Sequence, residues 1–421
     1  MTKAQWSWVS IDIGNSAFAT TILAALFPVY LPSLMPAEGL EVSLFGYHWH
    51  TTAISIWGYS VSLSLLIALF LTPLLGAWAD RGKHRKLLLG ISALLGATAT
   101  AGLFFCDRWE TAMMTFVIAN IGFAANNIFY NSLLPDVGEE SEWHSLSLKG
   151  FAWGYVGGGV LLAINLLMVM KYEWFGWASK KEGVQWSFLS VSIWWLLFTI
   201  PPLLFIKEKL ALKANEIAKA SEHPLRSIWN TFLSVLKNKN LLIFMLSFAL
   251  YNDGIQTVIS MASIFGKQIL SLPEDTLIGT LLMIQFLGLP FTLLMTKAGD
   301  KFGIKKTLTA SIVFWVAIVA YAYYMKSAGD FWILGVMVAI VLGVSQALPR
   351  SIYALLIPKG RQAEYFSFFA LSGKMTSIMG PTLFGVVRDM TGEVRLSILA
   401  LGILFVLGLA GLAFVKIPRA Q

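Results

Sequence analysis

The sequence predicts an all-α integral membrane protein of twelve transmembrane helices, arranged as two pseudo-symmetric bundles of six. Of its 421 residues, 57% are hydrophobic and only 13% are charged, which leaves too little polar surface for a soluble protein of this size. Apolar runs long enough to cross about 30 Å of hydrocarbon recur along the chain, and the run at 398–415 contains no charge. Because hydrocarbon offers no partners to backbone N–H and C=O groups, these runs are expected to be helices.

The individual helices follow from where each apolar run begins and ends, and these positions are accurate to a few residues. Twelve spans are predicted, at residues 8–35, 51–79, 87–106, 111–134, 149–170, 187–206, 240–264, 276–298, 307–325, 331–355, 365–390 and 394–416. An even number of spans puts both termini on the same side of the membrane.

One long polar segment, 207–239, divides the spans into an N-terminal bundle, 1–206, and a C-terminal bundle, 240–421. About 20 of the 31 Lys and Arg residues fall in loops on the side of the termini and about 8 on the other side. We therefore predict a multi-pass protein of the inner cell membrane with both termini in the cytoplasm. Because the basic residues sit beside apolar runs, the net charge of +8 does not indicate a nucleic-acid partner.

The cytoplasmic linker itself is predicted to contain two helices, a charged one at 207–220 and an amphipathic one at 225–236, separated at His223-Pro224. The apolar face of the second helix suits it to the membrane surface or to the underside of the bundle. The linker is either a plain tether or a regulatory segment.

An internal repeat supports the two-bundle arrangement. An acidic residue, a basic residue, a glycine and a basic cluster follow the second span at 80–86 and the eighth at 300–306. A second repeated motif lies at the ends of the fourth and tenth spans, where Pro135 and Pro358 each precede a short polar loop. Motifs in the same order in both halves are typical of parallel repeats related by an axis along the membrane normal.

The two repeated loops resemble the signature of the major facilitator superfamily, Gly-x-x-x-Asp-Arg-x-Gly-Arg-Lys. Five further motifs resemble one subgroup, the vacuolar effluxer-like family, which includes an autophagy-related amino-acid exporter and many bacterial members; they lie at 14–18, 251–258, 346–351, 357–358 and 363–381. The resemblance implies a secondary active transporter that moves amino acids or related small organic solutes by alternating access, in the direction of efflux and coupled to protons. A lipid or lysolipid transporter of the same fold is one alternative, and a non-transporting membrane receptor is another.

Ionisable and amide side chains inside the spans are candidate site residues, because a charge in the bilayer costs about 2.5–3.5 kcal/mol on insertion scales. Asp253 lies near the middle of the seventh span, with Asn252 and Gln256 beside it. Asp253 belongs either to a substrate or proton site or to an interhelical hydrogen-bond anchor. Lys374, in the eleventh span, is its candidate partner, in a functional or a permanent structural pair.

The first and fourth spans carry further candidate substrate residues. Asp12 and Asn15 are three residues apart and share a helix face, although Asp12 alternatively caps the first helix. Asn126, Asn127 and Tyr130 form a wide polar stripe on the fourth helix. Since lipid would penalise this stripe, it is expected to face the cavity or a neighbouring helix.

The eighth and tenth spans contribute Gln285 and Arg350. Arg350 precedes Pro358 by eight residues, as Asn127 precedes Pro135, so the two occupy matching positions of the repeat. We predict that Arg350 clamps an anion or holds a gate; the alternative is that it extends to the membrane surface.

Six residues are expected to act in conformational change rather than in substrate binding: Asp80, Arg81, Asp300, Lys301, Gly158 and Pro381. Asp80 and Asp300 are placed to cap a helix N-terminus of the other half and so hold one face closed. Gly158 belongs to a glycine-rich fifth helix, which serves either close packing or flexing. Pro381 is expected to kink the eleventh helix.

The expected partners are a small-molecule substrate, protons and membrane lipids, and the protein is expected to be a monomer. We predict no catalytic residue and no cofactor, because the chain has no nucleophile elbow and no phosphate-binding loop. No metal site is predicted either, since His48 and His50 in an outer loop have too few convergent ligands around them.

Overall fold

The structure is a computed structural model that describes the chain except residues 37–39, 45–46, 52, 82–83, 209–223, 359–360, 363–364, 367, 370–371, 373–378, 392 and 418–421. Its α-helices are α1 (Lys3–Ala17), α2 (Phe27–Ser33), α3 (Ala53–Arg81), α4 (Arg85–Gly102), α5 (Trp109–Ser132), α6 (Leu134–Val137), α7 (Trp143–Met170), α8 (Lys180–Phe205), α9 (Pro224–Lys237), α10 (Lys239–Gln268), α11 (Glu274–Phe302), α12 (Ile304–Tyr324), α13 (Ala328–Leu356), α14 (Met379–Thr391), α15 (Val394–Ala400) and α16 (Gly402–Phe414). Short 3₁₀ turns lie at Leu103–Phe105, Glu140–Glu142 and Tyr172–Phe175.

The prediction of an all-α membrane fold is confirmed. Within the described residues, ten helices are long and apolar enough to cross a membrane. Two more of the predicted spans correspond to α3, which has 29 residues, and to the segment that contains α14, part of which lies outside the described residues.

The first span differs from its prediction at its start and in its middle. It begins at Lys3, five residues earlier than predicted, because Thr2 accepts a hydrogen bond from the Gln5 backbone N–H while the Gln5 side chain accepts one from the Thr2 N–H. After α1 the chain widens into a π-helix at Phe18–Leu26 and then continues as α2. Asp12 therefore lies inside the helix, and the expectation that it caps the first helix is wrong.

A β-hairpin occupies the outer connection that the sequence analysis treated as a loop. Strand β1 (Leu40–Leu44) pairs antiparallel with β2 (Tyr47–Thr51), with Glu41 opposite His50. The alternation of polar and apolar residues along these ten positions is the signal for strands that the analysis did not use.

A set of contacts places the start of α1 and the end of the last described helix at one end of the bundle, which we call the terminal face. Gln5 Nε2 donates to Glu142 at the start of α7. Two residues further, His144 contacts Asp300 near the end of α11. Lys305, at the start of α12, donates to backbone carbonyls at the end of the last helix. The predicted linker helix at 207–220 lies outside the described residues from 209 onward.

Candidate functional site

The side chain of Arg350, on α13, is buried and reaches from the C-terminal half of the chain into the N-terminal half. Its Nη1 donates to Asn131 Oδ1 at 3.1 Å, and its Nε and Nη2 donate to the hydroxyl and the carbonyl of Ser147 at 3.2 and 2.9 Å. Its Nη2 also lies 3.7 Å from Asp12 Oδ2. All of these partners belong to α1, α5 and α7, so one side chain ties the two halves together.

Aromatic rings enclose the same guanidinium. Its central carbon lies 4.7 Å from the ring centre of Trp8 and 4.9 Å from those of Tyr130 and Phe151. Trp8 is fixed in turn, since its indole N–H donates to the Tyr130 carbonyl at 2.9 Å. A cation over ring faces is attracted by their quadrupoles, and this attraction grows when water is excluded.

Asp12 supplies the opposite charge to Arg350. It is buried, and its Oδ2 accepts a short hydrogen bond from the Tyr130 hydroxyl. Gly150 makes room for this meeting point: a Cβ on Gly150 would overlap Asp12 Oδ2 and lie 2.6 Å from the Tyr130 hydroxyl. The close approach of α1, α5 and α7 therefore requires a residue without a side chain at position 150.

We call Trp8, Asp12, Tyr130, Asn131, Ser147, Phe151 and Arg350 the Arg350 cluster. A buried ion pair of this kind adds little net stability, but removing one partner typically costs about 3–5 kcal/mol because it leaves an uncompensated charge. The two charges are therefore compatible with the closed arrangement or with a ligand that replaces one of them. Loss of one partner without a replacement is costly.

Asn15 and Asn127 form a second polar contact of the N-terminal half. Asn15 lies one turn beyond Asp12 on α1, and its Nδ2 is 3.5 Å from Asn127 Oδ1, at the limit of a hydrogen bond. Asn127 Nδ2 donates to the Phe123 carbonyl on its own helix. Within the described part of the chain, the buried Oδ1 of Asn15 has no partner, so it is available to a ligand.

Asn126 points elsewhere. It is completely buried, and its Nδ2 donates to the Leu89 carbonyl at 2.9 Å and approaches the Ser92 hydroxyl at 3.4 Å. The polar stripe was expected to face either the cavity or a neighbouring helix, and Asn126 faces the neighbouring helix α4. Successive residues of a helix are about 100° apart, so Asn126 and Asn127 point in different directions.

The contact between α7 and α11 contains two further polar side chains with free atoms. A Cβ on Gly288 would lie 2.8 Å from the Tyr155 ring, and one on Gly159 would lie 2.9 Å from Gln285. Among the described residues, neither the Tyr155 hydroxyl nor Gln285 Oε1 has a hydrogen-bond partner, although both atoms are buried. Buried polar atoms without partners are uncommon, so these two are candidates for a hydrogen bond with a solute or a water molecule.

Asp253 is fully buried on α10. Its Oδ2 accepts a hydrogen bond from the Gly380 backbone N–H at 2.6 Å, next to Pro381. Its Oδ1 has no partner among the residues that the structure describes. On the same helix, Asn252 is buried and Gln256 is exposed.

The predicted pairing of Asp253 with Lys374 stays a prediction, because Lys374 lies outside the described residues. The contact with Gly380 shows that Asp253 does anchor α10 to α14 through one oxygen. The other oxygen, Oδ1, is compatible with the alternative that Asp253 belongs to a substrate or proton site.

The predicted conformational residues lie in four places: the ends of α3 and α11, the middle of α7 at Gly158, and the first turn of α14 at Pro381. Asp80 and Arg81 end α3, but their side chains are outside what the structure describes. Asp300 Oδ1 lies 2.6 Å from Nε2 of His144, the second residue of α7, so an acid of the C-terminal half meets a helix N-terminus of the N-terminal half. Lys301 is exposed, with its ammonium 5.3 Å from the ring centre of Phe302.

Gly158 serves close packing of α1 against α7. A Cβ at this position would lie 3.1 Å from the Cβ and the backbone oxygen of Ser16, which is tighter than nearly all real contacts.

The structure also reveals an ionic cluster at the terminal face that the sequence analysis treated only as a topology signal. Arg85 is buried and pairs with Asp136 at 2.9 Å. Glu208 accepts hydrogen bonds from the backbone N–H groups of Arg85 and Lys86, at 3.1 and 2.8 Å, and so caps α4. Ser147 and His144 were missed as well, because polar residues in the first turns of a helix are usually caps.

This arrangement of helices defines a class. It resembles the fucose transporter FucP in its outward conformation, with a TM-score of 0.74, 12% identity and coverage of 99% of this chain and 100% of that one. It also resembles the proton:xylose symporter XylE, with a TM-score of 0.72, 15% identity and coverage of 100% and 96%. The protein has the fold of a major facilitator superfamily transporter.

Within that class, the chain belongs to the vacuole effluxer Atg22-like family, whose model matches residues 1–421. It is 31% identical to YxiO, an uncharacterized MFS-type transporter of Bacillus subtilis (strain 168), over 98% of this chain and 95% of that protein. It is 24% identical to autophagy-related protein 22 of Kluyveromyces lactis, over 87% and 80%. The predictions of family and fold are therefore confirmed, and the chain is a multi-pass membrane transporter rather than an enzyme.

Proposed function

We propose that the protein exports amino acids or closely related small zwitterions by alternating access, and that the terminal face is closed in this structure. The observation that carries the proposal is the Arg350–Asp12 pair, in which opposite charges from the two halves lie 3.7 Å apart inside a buried aromatic enclosure. An amino acid carries the same two charges in one molecule. Its carboxylate can therefore replace Asp12 as the partner of Arg350, while its ammonium group pairs with the Asp12 carboxylate.

This exchange of partners explains how a solute would open the terminal face. Separation of the halves without a solute breaks this pair and the hydrogen bonds of Arg350 to Asn131 and Ser147, with nothing to replace them. Moving an equilibrium from 1:99 to 99:1 requires a difference in binding of about 5.5 kcal/mol between the two states. A solute that satisfies both charges only when the halves separate binds the open state better and shifts the equilibrium toward it.

The free atoms of Asn15, Tyr155 and Gln285 complete the proposed solute path. They come from α1, α7 and α11, so they belong to both halves. The amide oxygens of Asn15 and Gln285 can accept a hydrogen bond, and the Tyr155 hydroxyl can donate or accept one. Uncharged partners of this kind hold a solute without binding it too tightly to be released. Asn127, beside Asn15, is assigned to the same path.

Coupling to protons is assigned to Asp253. No charged side chain among the described residues pairs with it, and one oxygen of this buried carboxylate has no hydrogen-bond partner among them, which leaves a place for a proton. The hydrogen bond from Gly380 passes a protonation change directly to α14. The location that we propose is the inner cell membrane, with both termini in the cytoplasm.

The proposal is tested by counterflow and efflux of radiolabelled amino acids in proteoliposomes, at pH values from 5 to 8. We expect flux with the wild type, none with Arg350→Ala, and a flux that no longer depends on pH with Asp253→Asn. Lys306→Gln, at an exposed position of the terminal face, is the control for a general effect of charge. Flux of lysolipid without flux of amino acids would replace the substrate class, and the absence of any flux with purified, stable protein would favour a receptor.

A further inference from the structure

The linker helix α9 presents a different kind of residue on each of three sides. Thr231 and Val235, one turn apart, are buried against the bundle. Trp229, Phe232 and Leu236 follow at spacings of three and four residues, so they form a single stripe, and their exposed fractions are 59%, 38% and 42%. The apolar stripe therefore faces away from the protein instead of into it.

The third side is polar. Asn230, Ser234 and Lys237 are exposed and share the remaining side of the helix, and exposed Lys239 follows at the start of α10. A helix that buries one side in protein and divides the rest into an apolar side and a polar side that ends in lysine matches the interface of a bilayer, where hydrocarbon and headgroups meet.

Helix α9 is fastened to both halves of the transporter. The Arg361 guanidinium donates to the Thr231 hydroxyl, and the Tyr365 hydroxyl donates to that of Ser234 at 3.1 Å. These two partners lie at the start of the eleventh predicted span. The helix also packs against α3 of the N-terminal half and α10 of the C-terminal half.

We propose that α9 is a docking site for anionic phospholipids in the leaflet at the terminal face. Helix α9 packs against α3, on which Trp78 is also exposed, and a Trp at the edge of the hydrocarbon is typical of interfacial anchoring. Lys237 and Lys239 supply the positive charge that attracts anionic headgroups next to the stripe. Because α9 packs against two of the spans, lipid rather than a soluble protein is the expected neighbour of its apolar stripe.

The consequence for the transporter is a lipid-dependent clamp. Because α9 contacts both halves at the terminal face, lipid that holds α9 in the interface stabilises the closed arrangement of that face. This consequence for transport rests on the proposed function, whereas the position of α9 in the bilayer does not.

The position is tested by spin labelling of the full-length protein in lipid nanodiscs. The chain has a single cysteine, Cys106, so Cys106→Ser gives a background for single-cysteine variants. Labels at Phe232→Cys and Leu236→Cys are expected to be relaxed mainly by oxygen, and a label at Lys237→Cys mainly by water-soluble nickel chelate. Equal access of nickel chelate to all three labels, or protection of the stripe from both reagents, would overturn the proposal, since these results indicate water and a covering protein respectively.

The lipid class is tested by the thermal midpoint in nanodiscs of phosphatidylcholine alone and with 30% phosphatidylglycerol. We expect the anionic lipid to raise the midpoint of the wild type and the double variant Lys237→Gln/Lys239→Gln to lose at least half of that rise. Lys326→Gln, at an exposed position of the opposite face, is the matched control and should keep the full rise. A double variant that responds like the wild type would refute the anionic site whether or not amino acids are transported.

Discussion

His144 Nε2 and Asp300 Oδ1 lie 2.6 Å apart and join the two halves of the transporter at the edge of the terminal face. The side chain of His144 is 20% exposed and that of Asp300 59%, so water screens this pair far more than it screens Arg350 and Asp12. The terminal face is therefore held by a weak outer contact and a strong inner one, and the two should respond differently to mutation.

Asp300→Asn is expected to shift the protein modestly toward an open terminal face. An exposed pair is typically worth about 0.2–1 kcal/mol, which corresponds to a change of at most about fivefold in the ratio of closed to open. The measurement is the distance between spin labels at Lys3→Cys and Lys306→Cys in the Cys106→Ser background, both at exposed positions of that face. Glu173→Gln, at the opposite end of α7, should leave the distance distribution unchanged. A distribution identical to that of the wild type in Asp300→Asn would show that the pair does not hold the face.

Arg350→Ala is expected to lower the free energy of unfolding by about 3–5 kcal/mol, because Asp12 then remains buried without its partner. Arg350→Lys keeps the charge but loses the planar set of donors that reaches Asn131 and Ser147, so an intermediate loss is expected. The thermal midpoint in detergent measures both. In the double variant Asp12→Asn/Arg350→Gln, the loss should be clearly smaller than the sum of the losses measured for Asp12→Asn alone and Arg350→Gln alone. Additive losses would contradict an energetic coupling of the two charges.

Gly150→Ala tests the close approach at the centre of the Arg350 cluster. The added methyl group would overlap Asp12 Oδ2 and crowd the Tyr130 hydroxyl, so we expect a loss of about 1–3 kcal/mol in stability and a large loss of flux. Gly329→Ala, on α13, is the matched control, because the atom nearest to its added Cβ would be the Ser327 hydroxyl at 3.6 Å. Equal behaviour of the two variants would mean that the helices separate at position 150 more easily than the structure indicates.

Asn126→Ala and Asn127→Ala are neighbouring changes with opposite expected results. Loss of the Asn126 side chain removes the bond to the Leu89 carbonyl between α5 and α4, which should cost about 1–2 kcal/mol of stability without a change in solute affinity. Asn127→Ala should leave the thermal midpoint nearly unchanged and raise the apparent Km for the solute. Thermal unfolding and flux measured on both variants decide between the two roles, and a reversed pattern would exchange the assignments.

Much of the fold follows from local properties of the sequence. The length and polarity of each apolar run determine a membrane span, and the repeated loops at 80–86 and 300–306 predict two related halves, because these features do not depend on distant residues. The matching positions of Asn127 and Arg350 in the repeat also favour a place for both beside the cavity, which stays a prediction. The β-hairpin and the π-helical turn were missed, since both are short departures from an otherwise sound helical pattern.

The sequence by itself determined that this protein spans a membrane, that it has two similar halves and which few polar side chains its spans contain, because hydrocarbon excludes polar groups wherever the spans lie. Only the tertiary structure decided which of these side chains meet. Helical periodicity fixes the face on which a residue lies but not the helix that this face contacts, so Arg350 could not be paired with Asp12, nor Asn126 separated from Asn127, before the helices were packed together.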